Sequence, residues 1–410
     1  VIRKHTTILR KPWKSLVAVA TTAAFAVLAS AATTPSPPPR ICIGNNCVQT
    51  PTGNIKWNPG HYVWVGGPGY DSRIQANTSA FLSSTAKDPN VAGIQVIFRW
   101  AELEGDTPGD YSRGFALLDG LLAKLAARPV PKHLMIGVGD RTFGGGLSSV
   151  PAGLYPAYIV NMPNGVAVAP VGSHWAGSLN TMVHMDNPAV VDHFIALIQA
   201  YGQRYNSNPL LEMVTPWGES AVSSSAGING PAFLEQMKRT YAAASQAWPN
   251  TLLRWPLNWA GSDQSILSIL AFARTLPQSA IGGPDPEVPL PLMSDYPSGV
   301  RTIQANQVFR GLSSGSNSAP AYEDLRGKMP WVGEYQGGAR IGVGSVLPQD
   351  FGNYEINVMH ASHLIYMYNT WAPANTPAND PHKWMAQLTY IHSTNGATSL
   401  SVTAPVLAAK

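Results

Sequence analysis

Two short segments of this chain run an apolar, strand-like stretch into a tryptophan and a glycine and end in a carboxylate: Leu210 to Glu219, with Trp217 and Gly218, and Met329 to Glu334, with Trp331 and Gly333. A strand delivering a glutamate at two well-separated places is the equipment of a paired-carboxylate site. Two carboxyl groups held across a glycosidic bond suffice for its hydrolysis, one protonating the leaving oxygen while the other attacks carbon or activates water. The alternative for either glutamate alone is a solvated loop carboxylate, because charged side chains are mostly exposed. The pairing is what gives the two positions chemical weight.

The elements that must position them alternate along the chain. Strand patterns fall at His61–Val65, Gly93–Trp100, His133–Val138, Leu210–Thr215, Leu252–Leu257, Ala280–Gly283, Trp331–Glu334 and Leu364–Asn369. Helical patterns fall at Arg113–Ala127, Asn187–Tyr205, Ala232–Trp248 and Gln264–Arg274; the second opens on Asp186-Asn187-Pro188, a capping pair followed by proline in the first turn. Eight strands with intervening helices over about 345 residues predict a single (β/α)8 TIM barrel, an α/β catalytic domain over residues 55–410 with long βα loops. A doubly wound open sheet would give the same local pattern. The stretches Arg141–Asp186 and Pro284–Pro320 exceed simple connections and follow strands, so they are expected to wall a cleft on the C-terminal face; they carry Phe143, Tyr155, Tyr158, His174, Trp175 and Tyr296.

The segment Val96 to Glu104 (Val-Ile-Phe-Arg-Trp-Ala-Glu-Leu-Glu), then Gly109-Asp110-Tyr111 and Leu117 to Leu122, resembles the second strand and second helix of retaining glycoside hydrolases of clan A. The resemblance implies a TIM barrel whose acid/base glutamate closes the fourth strand and whose nucleophilic glutamate closes the seventh. Those places fall on Glu219 and Glu334. It further implies that Arg99 touches the nucleophile and that Trp371 floors the reacting sugar. Where the family carries Asn directly before the acid/base, to bond the sugar 2-hydroxyl, this chain has Gly218; either another residue such as Asn258 makes that contact or the chain is of a divergent family. The implied activity is retaining hydrolysis of β-glycosidic bonds in a poly- or oligosaccharide, an endo-β-1,4-glucan or mannan being the expected substrate. The competing reading is a non-catalytic barrel that binds carbohydrate or scaffolds the envelope.

Tryptophans gather near the strand ends at Trp64, Trp100, Trp217, Trp255, Trp259, Trp331 and Trp371. Sugar rings stack their apolar faces on aromatic planes, so Trp100, Trp175, Trp217, Tyr296 and Trp371 join Arg99 and Asn258 as candidate substrate contacts, core packing being the alternative for each tryptophan. Three further signals are set aside. Gly311-Leu-Ser-Ser-Gly315 matches a serine-hydrolase elbow but sits in a Ser/Gly-rich stretch; the alternative esterase would use Ser313. His360 and His363 with His184 and Asp186 lack zinc spacing, and Gly137-Val-Gly139 lacks the third glycine of a dinucleotide loop. No metal and no cofactor is expected.

Residues 1–31 have a basic start, an apolar run from Leu16 to Leu28 and a small-residue site at Ala29-Ser-Ala31, the three parts of a secretory signal; a membrane anchor competes, but the apolar run is shorter than a span needs. Its removal takes away five basic residues, leaving 22 basic against 23 acidic, so no basic surface recommends a nucleic-acid partner. Residues 32–54 read as a proline-rich linker in which Cys42 and Cys47, the only two cysteines, bracket a turn and are expected to pair. The expected setting is secreted or periplasmic, with no membrane association after cleavage. The oligomeric state is not encoded in any of these signals.

Overall fold

The structure, a computed structural model, describes residues 40–43, 46–49, 55–67, 69–173, 179–220, 222–257, 262–283, 325, 328–335, 348–357, 359–367 and 384–394. In chain order, β1 (Arg40–Ile43) and β2 (Asn46–Gln49) form an antiparallel hairpin within the segment expected as a linker, with Cys42 directly opposite Cys47. There follow β3 (Gly60–Trp64), α1 (Ser72–Ser84), β4 (Val91–Arg99), α2 (Trp100–Leu103), α3 (Ser112–Ala126), β5 (His133–Gly139), β6 (Arg141–Phe143), α4 (Ala157–Val160), β7 (Val166–Val168), β8 (Leu179–Val183), α5 (Pro188–Tyr205), β9 (Leu211–Thr215), α6 (Gly230–Ala247), β10 (Leu252–Pro256), α7 (Asp263–Ala273), β11 (Ser279–Gly283) and β12 (Trp331–Tyr335). A helix at Pro348–Asn357, β13 (His363–Met367), a helix at Trp384–Ser393 and, between β9 and α6, a short 3-10 helix at Ser224–Ala226 complete the described elements.

Eight of these strands close into a parallel barrel in the order β3, β4, β5, β9, β10, β11, β12, β13, and β13 pairs with β3 from Gly60 against His363 to Trp64 against Met367. That last pairing decides between a closed barrel and an open doubly wound sheet: the chain is a (β/α)8 barrel. Each expected strand is found, with ends shifted by a residue or two.

The strands read as near-continuous apolar runs because both faces are covered. Tyr62, Met135, Met213, Leu252, Ala280, Val332 and Ile365 fill a layer of the barrel interior, while the alternate residues, among them Val63, Val96, Phe98, Ile136, Leu253, Trp255 and Trp331, pack outward against the helices. The helices present matching stripes, such as Leu118, Leu121, Leu122 and Leu125 of α3. Their starts are set as the sequence dictates: Asn187 accepts from the Ala189 amide ahead of α5 and Asn229 from the Ala232 amide ahead of α6, each with a proline in the first turn.

The stretch between β5 and α5 is a structured insertion. β6, β8 and β7 form a small antiparallel sheet, tied by Thr142 to Asn180 and by Tyr155 to Thr181. The other expected wall, Pro284–Pro320, lies outside the described residues. No described helix is long and apolar enough to cross a membrane.

Candidate active site

Parallel strands place all their C-terminal ends on one face of the barrel, and both glutamates arrive there. In β12, Val332 points into the interior, so the two-residue repeat of a strand turns Glu334 inward one level higher. Its side chain is 4% exposed, and its Oε2 lies 2.8 Å from Nη2 of Arg254, itself 3% exposed. Arg254 is the inward residue above Leu252 in β10. The intervening strand β11 turns only Ala280 and Gly282 inward, which leaves the guanidinium room to cross to β12. The contact is an ion pair rather than an aligned hydrogen bond: among the described residues neither Nε nor Nη2 of Arg254 has an acceptor at hydrogen-bond geometry. Two opposite charges this deep offset each other's cost of burial.

Both strands are clamped from outside. The Tyr241 hydroxyl of α6 donates to the Arg254 carbonyl, and its ring stacks on Trp255 at 3.5 Å. Behind β12, Trp331 Nε1 donates to Glu355, which is pressed so close to Gly333 that a Cβ there would stand 2.4 Å from the carboxylate oxygen. Burial pushes the Glu355 carboxyl up to about 8, opposed only by the bond from Trp331.

Glu219 follows β9 through Pro216, Trp217 and Gly218 and is partly exposed. Its backbone is held on two sides: Arg141 Nη2 donates to the Glu219 carbonyl at 2.8 Å, and the Ser220 amide donates to the Pro256 carbonyl at 3.0 Å. Beneath lies Asp140, fully buried at the end of β5, which accepts from Arg141 Nε at 3.1 Å and Nη2 at 2.7 Å and from Trp217 Nε1 at 3.0 Å. Gly218 rests on this carboxylate. A Cβ at that position would meet Asp140 Oδ1 at 2.5 Å, so no asparagine can stand before Glu219 in this chain. Burial would depress the Arg141 pKa, but Asp140 and then Glu219 raise it, which keeps the guanidinium charged.

No protein-family model matches the chain, and no curated protein matches it by sequence. Among solved structures it is similar to endo-glycoceramidase II from Rhodococcus sp. in its lactosyl-enzyme intermediate, at 14% identity over 84% of this chain and 80% of that one with a TM-score of 0.46. It is also similar to an endoglucanase from Pseudomonas stutzeri (11% identity, 84% and 96% covered, TM-score 0.48) and to a β-mannanase from the blue mussel Mytilus edulis (11%, 84% and 92%, 0.46). These are glycoside hydrolases, the kind of protein the sequence resembles. At such identities and TM-scores the likeness carries no argument about chemistry, and the fold rests on the strand pairing of this chain.

Several expected contacts are reassigned. The cation on Glu334 is Arg254, not Arg99; Arg99 ends β4 against Gly69, with its guanidinium 3.8 Å from Asp71, which draws it toward the loop after β3. Trp100 and Trp217 are not open to a sugar: both are fully buried, the first bonding Glu104 and packing on Phe194, the second bonding Asp140 and packing on Phe194 and Phe233. Trp255 and Trp331 likewise face the helices. Trp64, half-buried at the end of β3, is instead packed on the inner layer. Trp175, Asn258, Tyr296, Trp371 and Ser313 lie outside the described residues, as do Trp259 and His174. Among the described residues no cluster of His, Cys, Asp and Glu could hold a metal; His363 lies at the opposite, N-terminal end of the barrel, bonded to Glu212.

Arg254, Asp140, Arg141 and Glu355 were not singled out from sequence. A signal existed for three of them: Arg254 interrupts the otherwise apolar Leu252–Leu257, and Asp140-Arg141 is an abrupt charge pair directly after an apolar strand.

Proposed function

We propose that this chain is a glycoside hydrolase that cleaves β-glycosidic bonds with retention, Glu334 serving as nucleophile and Glu219 as acid/base. The observation that carries the reading is the buried Glu334–Arg254 ion pair on the inner face of the seventh barrel strand, at the mouth where Glu219 also arrives. A carboxylate facing a buried guanidinium is fixed in direction, as attack on an anomeric carbon requires. Glu219, partly exposed and held through its backbone, trades its proton with a leaving oxygen and then with water. The mechanism is double displacement: Glu334 displaces the aglycone as Glu219 protonates it, and Glu219 then deprotonates the water that releases the sugar. It requires the two carboxyl groups to stand about 5 to 5.5 Å apart.

The substrate class within this reading is a β-1,4-linked glucan or mannan cleaved internally, and the setting is outside the cytoplasm, on the strength of the secretory pattern in residues 1–31. A panel of plant and microbial polysaccharides, with the first-formed anomer followed by NMR, tests it. Turnover with retention that is abolished in Glu334→Gln and Glu219→Gln supports the enzyme. Carbohydrate binding without turnover would instead identify a non-catalytic binding barrel.

A further inference from the structure

We propose that the buried Asp140–Arg141 pair is the positioning device for Glu219, and that it links the acid/base to the small sheet inserted after the third barrel strand. The proposal rests on Glu219 being the acid/base. The two neighbouring residues divide the work. Asp140 fixes the approach to Glu219 by accepting from Trp217 Nε1 and by occupying the space where any side chain at position 218 would stand. Arg141 fixes Glu219 itself, through the bond from Nη2 to its carbonyl. Arg141 is also the first residue of β6, paired with Met182 of β8, and the Val183 amide donates to the Asp140 carbonyl at 2.9 Å. A shift of the inserted sheet therefore moves the backbone of Glu219.

The charge arrangement matters as much as the geometry. A lone guanidinium beside Glu219 would favour its ionised form and discharge the acid before it could act. With Asp140 bonded to the guanidinium through two nitrogens, the pair as a whole brings no net charge to Glu219, so the backbone is anchored at little electrostatic cost to the proton. Among the described residues Tyr155 from the inserted segment and Tyr241 from α6 are titratable groups that feel Asp140, and burial holds both phenols neutral.

The test is a titration of Glu219 by carbon-13 NMR on glutamate-labelled protein, the resonance being assigned by its loss in Glu219→Gln. Asp140→Asn leaves the guanidinium uncompensated, and Glu219 is expected to titrate about one pH unit or more lower; Arg141→Met leaves the carboxylate uncompensated, and it is expected to titrate higher by a similar amount. The basic limb of kcat/KM should follow in the same two directions. Arg141→Lys keeps the charge pair but cannot both grip Asp140 and reach the carbonyl, so it should lower kcat up to about 100-fold with little change in KM or in the titration. It also serves if a charge-removing variant does not fold. Folded variants in which Glu219 titrates as in the parent, or Arg141→Lys with undiminished kcat, would overturn the proposal. The titration scores the pair whether or not the protein hydrolyses a glycoside, so failure of the functional reading is separately visible as absence of turnover in the parent.

Discussion

Glu355 offers a sharp test of how the seventh strand is supported. It is fully buried on the outer side of β12, takes one hydrogen bond from Trp331 Nε1, and has no partner for Oε1 among the described residues. Burial raises its pKa from 4.5 to about 8, so the native protein holds a proton there at neutral pH that the unfolded chain releases. The sign follows from linkage. Below about 4.5 both states are protonated and the group has no pH-dependent effect on stability; between about 4.5 and 8 the native state binds the extra proton, so stability falls as pH rises; above about 8 both states have lost it and the dependence flattens. At about 1.4 kcal/mol per pH unit the full window amounts to roughly 5 kcal/mol. Glu355→Gln keeps the shape and an acceptor for Trp331 but cannot ionise. Urea denaturation at pH 5, 6.5 and 8 should show the parent losing several kcal/mol relative to the variant across that range, whatever constant offset the amide introduces. Parallel pH dependence in parent and variant would refute the assignment of a buried, protonated carboxyl behind Glu334.

Other expectations concern the remaining contacts. Gly218→Ala drives a methyl group into Asp140 and should cost about 1 to 3 kcal/mol in thermal denaturation, with kcat falling because the turn that carries Glu219 is displaced. Arg254→Met removes the buried cation that faces Glu334, which should destabilise the fold by about 3 to 5 kcal/mol in urea denaturation and lower kcat. Glu212, at the opposite end of the barrel, is buried, which would raise its pKa, but His363 and Asn58 hold it below the usual range, so its contribution persists above the ordinary carboxylate pKa and is lost as pH falls through the depressed one. Glu212→Gln should lower the melting temperature while leaving kcat per folded molecule unchanged, because that face of a barrel serves stability.

The barrel was legible because periodicity and turn chemistry are local. Strands covered on both faces declare themselves as short apolar runs, and Asn187-Pro188 and Asn229 announce helix starts wherever the rest of the chain lies. Helix α1 escaped notice because Ser72–Ser84 is rich in Ser, Asn and Thr and buries only Ile74, Thr78, Phe81 and Leu82. The inserted sheet escaped because strands of three to five residues held by cross-strand contacts carry too little pattern of their own. The two glutamates could be read from their strand-end positions. Their partners could not, because those depend on which strands become neighbours: Arg254 reaches Glu334 across β11, and Arg141 reaches Glu219 from another part of the chain. Trp100 and Trp217 illustrate the opposite error, since a tryptophan at a strand end turns outward or inward on a one-residue difference that composition does not report.

The central claim is that Glu334 attacks carbon while Glu219 manages the proton. Incubation with activated 2-deoxy-2-fluoro-β-glycosides of the gluco and manno series, followed by peptide mass mapping, tests it most directly, because the fluorine slows both formation and breakdown of a glycosyl-enzyme while the activated leaving group restores only its formation. The account predicts one covalently attached sugar on the peptide that contains Glu334, and loss of that label in Glu334→Gln. A label on any other residue, or turnover that inverts the anomeric centre without a covalent adduct, would contradict it.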